Sequence, residues 1–399
     1  MGDPETVVIS SYSGIREAFR HKGLRQALYD EGAAVMADCL LTLHGDAHRS
    51  RRRLENRLFR REVFRAWEHE LLGPTIGMAL QPFVLVGRGD LLSIAYRVSM
   101  NLTAFVAGVD CRQGTPGETE TLLALVRTFS EGATAVHSTR PRDELAAEVE
   151  AAIEHFEHQF LAPSIDRRLA LIGQGEDLPS DVLTTLLVNR EQLDLPPDVI
   201  CREIAFYLQA GSHSTANAFT HAVDELFHWS ADHPEDLDRA RSDRRFLQRC
   251  VHETLRLHPA SPVSWRRAVD DVVLADGTAL GPHHLVILDL VAANTDPDLF
   301  GPNASSFDPH REIAEGISPW GHSFGGGIHA CIGAELDGGT EPDDTTPPFE
   351  HLYGTVAIML DAFLAAGGRP DPSKAPRQDP SSSRAHFSSY PVVFTREDR

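Results

Sequence analysis

Short apolar runs and long helical periods alternate along the chain in a pattern that fixes most elements. Val7-Val8-Ile9-Ser10-Ser11-Tyr12 reads as a strand, with a turn at Ser13-Gly14 and a helix from Ile15 to Arg20. From about residue 62 to 195 apolar positions recur at helical spacing with one polar face, as over residues 143–154. Pro196-Pro197-Asp198 starts a long helix, carried by Ile204, Phe206, Leu208, Ala216, Phe219 and Val223 to about Phe227. A further helix is capped at Asp243 and stopped by Pro259. Ser261 to Ala268 is extended, as its prolines demand, and Gly277-Thr278 turns the chain into the buried strand Leu285-Val286-Ile287-Leu288. Near the end, Asp337-Gly338-Gly339 to Pro347-Pro348 interrupts a helical pattern that resumes near Glu350.

Composition narrows the class. A chain of 399 residues, 42% hydrophobic and 24% charged, supports one large domain or two ordinary ones. With 58 acidic against 37 basic residues the net charge is −21, which argues against a surface that tracks nucleic-acid phosphates. Five scattered cysteines, Cys39, Cys111, Cys201, Cys250 and Cys331, point to a reducing compartment and not to a disulfide framework. No apolar run approaches the ~18 residues of a membrane span, and Met1-Gly2-Asp3-Pro4-Glu5 lacks the basic and apolar regions of a leader, so the expectation is a soluble cytoplasmic protein.

One stretch carries chemistry: Phe324-Gly325-Gly326-Gly327-Ile328-His329-Ala330-Cys331-Ile332-Gly333. A cysteine thiolate bound axially to haem iron pushes electron density onto the metal and favours O–O cleavage. Gly325 and Gly327 can take backbone angles closed to other residues, turning peptide N–H groups toward the sulfur, and Phe324 would shield it. A glycine turn beside a structural cysteine is the plainer alternative. Six fixed residues in the order F-G-x-G-x-H-x-C-x-G are rare by chance, and here the chain resembles the cytochrome P450 family of haem-thiolate monooxygenases.

The resemblance implies a single mainly α domain with small β-sheets, haem b (iron protoporphyrin IX) ligated by Cys331, and His329 at a haem propionate. It places Gly325 and Gly333 in the same haem-binding loop. His48 and Arg52, four apart on one helix face, could equally be a solvated basic helix or reach one anion; the family's H-x-x-x-R pair implies a propionate site. Ala210-Gly211-Ser212-His213-Ser214-Thr215 stands where the family has A-G-x-[D/E]-T-T across the oxygen-binding face. His213 replaces the usual acid and Ser214 the first threonine. The pair either forms a substitute proton relay or leaves that route unused. Small residues there could also mark close packing against another helix.

Glu253 and Arg256 match the family's structural E-x-x-R pair, although alone such a pair is usually a surface ion pair. Arg266 is implied at a propionate, Phe206 and Val263 in the substrate pocket, and His322, one place from a common family histidine, at a propionate. Relatives carry several dozen residues before the first strand, which implies a smaller first sheet and a more open access side here. The 337–349 insert brings four acidic groups near the docking face for an electron donor, where like charges would slow an acidic ferredoxin; it implies an unusual donor, a peroxide-driven reaction, or simply a displaced flexible loop. The function implied is oxidation of a small organic molecule, in secondary metabolism, with O2 and electrons from a ferredoxin and its reductase or another donor. The alternatives are a peroxygenase, oxidative-coupling or nitric oxide reductase chemistry, or a haem sensor.

Overall fold

The computed structural model describes residues 5–342 and 345–395. The first strand, β1, covers Thr6–Ile9, and the first helix, α1, covers Tyr12–Arg20. The helix starts three residues before the expected Ile15. Ser11 is extended and its Oγ accepts the Gly14 N–H at 3.2 Å, an N-cap that recruits Tyr12 to Gly14 into the first turn. With β2 (Leu24–Gln26), β3 (Val263–Ala268) and β4 (Leu285–Asp289) the first strand forms a four-stranded sheet in the order β1-β4-β3-β2. Only the β1–β4 pair is parallel, with Thr6 opposite Leu285 and Ile9 opposite Leu288. Val286 and Leu288 alternate inward on β4 and pack with Ile15, Phe19, Ala293 and Phe300 in a small core of their own.

The larger core is helical. Helix α2 spans Gly45–Glu55, α3 Leu91–Ala107, and α4 Pro197–Trp229, a 33-residue rod started by Pro197 in its first turn. Helices α3 and α4 press together at their small residues. A Cβ on Gly211 would overlap the Thr103 methyl, Ser99 Oγ donates to the Ser212 carbonyl at 3.0 Å, and Thr103 Oγ1 lies 2.7 Å from Ser212 Oγ. Glu203, fully buried on α4, accepts from Arg51 of α2 at 2.9 Å and from the Leu40 N–H at 2.9 Å. That pair fixes the roll of α2, and with it the direction of His48 and Arg52 on the same helix.

Helix α5 (Arg244–Leu257) begins at an Asp243 cap, as the sequence predicts, and carries Glu253 and Arg256. Both are buried, so the pair is no surface bridge: Arg256 Nε and Nη2 meet the Glu253 carboxylate at 2.8 and 2.6 Å. The short helix α6 (Ala334–Asp337) follows the cysteine loop, and α7 (Thr355–Ala365) begins five residues later than the expected Glu350. Gly354 sits at φ +86°, and the Glu68 carboxylate takes the Gly354 N–H at 2.8 Å, so the chain is held in a turn until that point. The two ends of the insert close on each other, Thr340 N to Leu352 O at 3.0 Å, anchored by Gln248 Nε2 to Thr340 O and Leu352 O at 2.8 and 3.0 Å. Of its four acids, Asp343 and Asp344 lie outside the described residues, and Asp337 faces the interior. No helix among the described residues is long and apolar enough to cross a membrane.

Candidate active site

The cysteine loop is built on two left-handed glycines, Gly325 at φ +66° and Gly327 at φ +64°. A Cβ on Gly327 would collide with the carbonyl oxygen of Phe19 at the end of α1, so the loop nests directly on that helix. Phe324 O accepts the Cys331 N–H at 2.9 Å and His322 O accepts the Gly325 N–H at 2.8 Å, closing the loop around the cysteine. Cys331 is exposed, but toward an internal cavity of ≈ 390 Å³ and not toward the outer surface. Surrounded by protein, its thiol is pushed up to about 11 by burial, against the pull of the Gly333 N–H and the Arg52 charge. The other cysteines are shielded: Cys39, Cys201 and Cys250 are buried and Cys111 half-buried, with thiols raised chiefly by burial.

Across the cavity wall His48 and His329 lie with ring centroids 4.4 Å apart, and all four of their ring nitrogens are buried without a hydrogen-bond partner. Buried polar atoms are almost always paired, so four orphans in one place mark a missing group. Burial, reinforced by the neighbouring arginines, pushes His48 down to about 4 and His329 to about 3, so both rings are neutral near pH 7. Arg52 donates Nη2 to Ala330 O at 2.9 Å, and buried Arg266 binds Gln26 Oε1 at 2.6 Å and Ser264 Oγ at 2.8 Å. Neither has a carboxylate within ion-pair distance among the described residues. Burial holds Arg266 down at about 10.

These donors fit a ligand that brings two carboxylates, and the apolar walls with the small-residue stretch of α4 fit a flat ring. Among the described residues no cluster of three His, Cys, Asp or Glu could hold a bare ion. A metal at Cys331 therefore has to arrive with its other ligands, as it does in haem.

The cavity gathers His48, Arg52, Phe206, Ala210, Gly211, Ser214, Thr215, Val263, Arg266, Phe324, Gly325, His329, Cys331 and Gly333. His213 and His322 lie outside it. The His213 Nδ1 lies 2.5 Å from the Tyr96 hydroxyl, its Nε2 is buried without a partner, and burial holds the ring far below its usual pKa. His322 stacks on Tyr12 at 3.9 Å, with Nε2 3.0 Å from the Tyr12 carbonyl, as a clamp between loop and α1. Ser214 Oγ is folded back onto Ala210 O at 2.6 Å.

Residues without a local signal also line the cavity, among them Asp337, Arg384 and His386. Asp337 Oδ1 accepts the Thr215 hydroxyl at 2.6 Å, and burial, only partly offset by that bond, raises its carboxyl to about 6 from 3.8. A folded-state pKa above the unfolded one favours the native state fully below pH ~4, and this stabilisation is lost as pH rises through 6, by about 3 kcal/mol in all. Urea unfolding of the native chain and of Asp337→Asn should therefore diverge progressively between pH 4 and 7, the native chain weakening. Parallel profiles would refute the assignment.

Residues 203–336 match the cytochrome P450 family model, a stretch that contains most of α4, the buried Glu253–Arg256 pair and the cysteine loop. The match covers about a third of the chain, and over that stretch the chain is similar to cytochromes P450. The crystal structure of P450BioI with a hexadec-9Z-enoic acid ligated acyl carrier protein superimposes with TM-score 0.74, at 19% identity over 97% of this chain and 92% of that one. CalO2 does so with TM-score 0.74 at 22% identity, over 97% and 90%. Pulcherriminic acid synthase of Bacillus subtilis is 26% identical over 83% of this chain and 78% of its own length. PikC of Streptomyces venezuelae is 32% identical over 41% of this chain and 36% of its own. The chain spans between 34% and 42% of the first curated relatives it matches.

Proposed function

We propose that the protein is a haem-thiolate monooxygenase that oxidises a small organic molecule. The observation that carries this is a cysteine sulfur opening into a cavity beside four unpartnered imidazole nitrogens and two arginines without a carboxylate among the described residues. Cys331 would ligate the iron of haem b, with the Gly333 N–H tempering charge on the sulfur and Phe324 shielding it. Arg52, Arg266, His48 and His329 would hold the propionates. Bound there, haem supplies the activation of O2 and the transfer of one oxygen atom to the substrate. Phe206 and Val263 offer the substrate apolar walls. Asp337 holds a proton at its carboxyl over part of the neutral range, and Thr215 fixes that group in place.

Electrons would come from a ferredoxin and its reductase or another donor, in the cytoplasm, with no part for nucleic acid or a membrane. The reduced holoprotein under carbon monoxide should show the red-shifted Soret band of a thiolate ligand, and Cys331→Ala should lose it. A native protein without that band would overturn the reading.

A second reading, peroxide-driven oxidation, is favoured by one feature: His213 faces Tyr96 and Ser214 faces its own helix, so neither is set as a proton relay toward the cavity. On this view His213→Phe with Ser214→Ala leaves turnover and peroxide leakage unchanged, and product formed under labelled O2 carries no label. Labelled product together with raised leakage in the double variant would instead restore the relay.

A further inference from the structure

Five arginines are buried among the described residues: Arg51, Arg168, Arg256, Arg266 and Arg384. Arg51 is paired with Glu203, Arg168 with Asp110 and Asp181, and Arg256 with Glu253. The remaining two lack a carboxylate at ion-pair distance, and both line the cavity. A guanidinium taken out of water without an anion is strongly unfavourable, so a cation left alone on the wall of a binding cavity points to an anion that enters with the ligand.

Arg266 is accounted for by the haem carboxylates, because its charge is felt by His329 together with those of Arg52 and His48. Arg384 shares one neighbour with Arg266, Tyr29, which feels both charges, but otherwise stands in different company. Its charge is felt by His137, His213 and His386, rings that burial keeps neutral, and not by His48 or His329. The contacts it makes are long and neutral, Nη1 to Ala260 O at 3.3 Å and Nε to Ser382 Oγ at 3.4 Å. Nη2 has no hydrogen-bond acceptor among the described residues. Asp379, whose charge reaches Arg384 without forming an ion pair, is turned onto its own loop, Oδ1 taking the Ser381 N–H at 2.9 Å and hydroxyl at 2.6 Å.

The segment that presents Arg384 is held rigidly. Ser383 N bonds His137 O at 2.7 Å, Thr139 N bonds Ser381 O at 3.0 Å, and Asp379 N bonds His386 O at 2.8 Å, stapling the loop to residues 137–139 and to itself. The guanidinium is thus set in place before any ligand arrives, which lowers the ordering cost of binding. The cavity it lines is walled in part by the apolar Phe206, Leu257, Pro262 and Val263. A fixed planar cation beside apolar lining recognises one carboxylate on a hydrophobic body.

We propose that the substrate is a hydrophobic carboxylic acid, anchored through its carboxylate at Arg384 and laid along the apolar wall toward the cysteine side of the cavity. The proposal rests on the cavity being the oxidation site, and it implies attack at a set distance from the carboxylate.

The test uses the haem-loaded protein, with dodecanoate and 4-phenylbutyrate as probes against their neutral amides. Binding is followed by the spin-state change of the haem. The acids are expected to bind about ten-fold or more tighter than the amides. Arg384→Gln should bring each pair within about two-fold, and Arg384→Lys should restore part of the preference, both with unchanged haem content. Equal affinity for acid and amide, a preference that survives Arg384→Gln, or no response to any probe would overturn the proposal. So would loss of haem in both variants, which would assign Arg384 to a propionate. The thiolate band under carbon monoxide reports separately: without it the monooxygenase reading fails, whereas with it and no acid preference only the anchor fails.

Discussion

Arg256→Ala is expected to destabilise the fold by about 3–5 kcal/mol, the range for breaking a buried ion pair from one side. Arg256 is fully buried, and its four donor contacts are the two Glu253 oxygens and the carbonyls of Asn294 and Ala304, these last two both at 2.6 Å. Its loss leaves two carbonyls without a donor, while Glu253 retains Arg311 at 2.9 Å and the Asp308 N–H at 3.1 Å. The damage reaches the cysteine loop through Asn294, whose side chain joins Arg256 O, Ser323 Oγ and the His322 N–H at 3.0, 3.0 and 2.7 Å. Unfolding in urea and haem content should fall together, and Arg256→Lys should recover little, since a point charge cannot reproduce the planar fork. Arg241→Ala, which removes an exposed pair with Asp238, should stay within about 0.5 kcal/mol of the native chain. An Arg256→Ala protein within 1 kcal/mol of native would show that the network is not a stabilising hub.

That network marks where sequence reading stops. The cysteine loop was legible because its chemistry sits in ten consecutive residues, with glycines whose backbone angles follow from residue type. His48 and Arg52 were legible from spacing, since residues four apart share a helix face wherever the helix lies. Glu253 and Arg256 share that kind of spacing with any surface pair, and only Arg311 and Asn294, 58 and 38 positions away from the residues they bind, make it a core feature.

His213 shows the opposite error. Adjacency to Ser214 suggested a shared role, yet the cavity takes Ala210, Gly211, Ser214 and Thr215, a helical arc from which residue 213 is rotated out. Asp337 was assigned to an acidic surface insert because Gly338-Gly339 ends a helix there; what the pattern could not convey is that the last helical residue points inward to Thr215. Arg384 stands in a serine-rich stretch with no period at all, and its meaning depends on an acid that the fold does not supply.

Gly327→Ala should be more damaging to the site than any other single methyl added to the loop, and Gly325→Ala is its control. Both glycines have positive φ, so each substitution carries about 1–2 kcal/mol of left-handed strain. They differ in what the methyl meets. At Gly325 the nearest atom is His329 O, 3.8 Å away, ordinary contact; at Gly327 it is the Phe19 carbonyl oxygen, a backbone atom of α1 that no rotamer change can move aside. Next to it, a Cβ on Gly326 would lie 2.9 Å from the Phe19 ring, so the loop cannot slide sideways onto that face either. The loop must lift from α1, taking Cys331 and His329 with it, and a displacement near 1 Å can cost about 100-fold in activity. Gly327→Ala is thus expected to purify with little haem and a weak thiolate band under carbon monoxide, while Gly325→Ala keeps both and loses only about 1–2 kcal/mol in urea. Equal haem occupancy in the two variants would mean that the seat on α1 does not set the position of the sulfur.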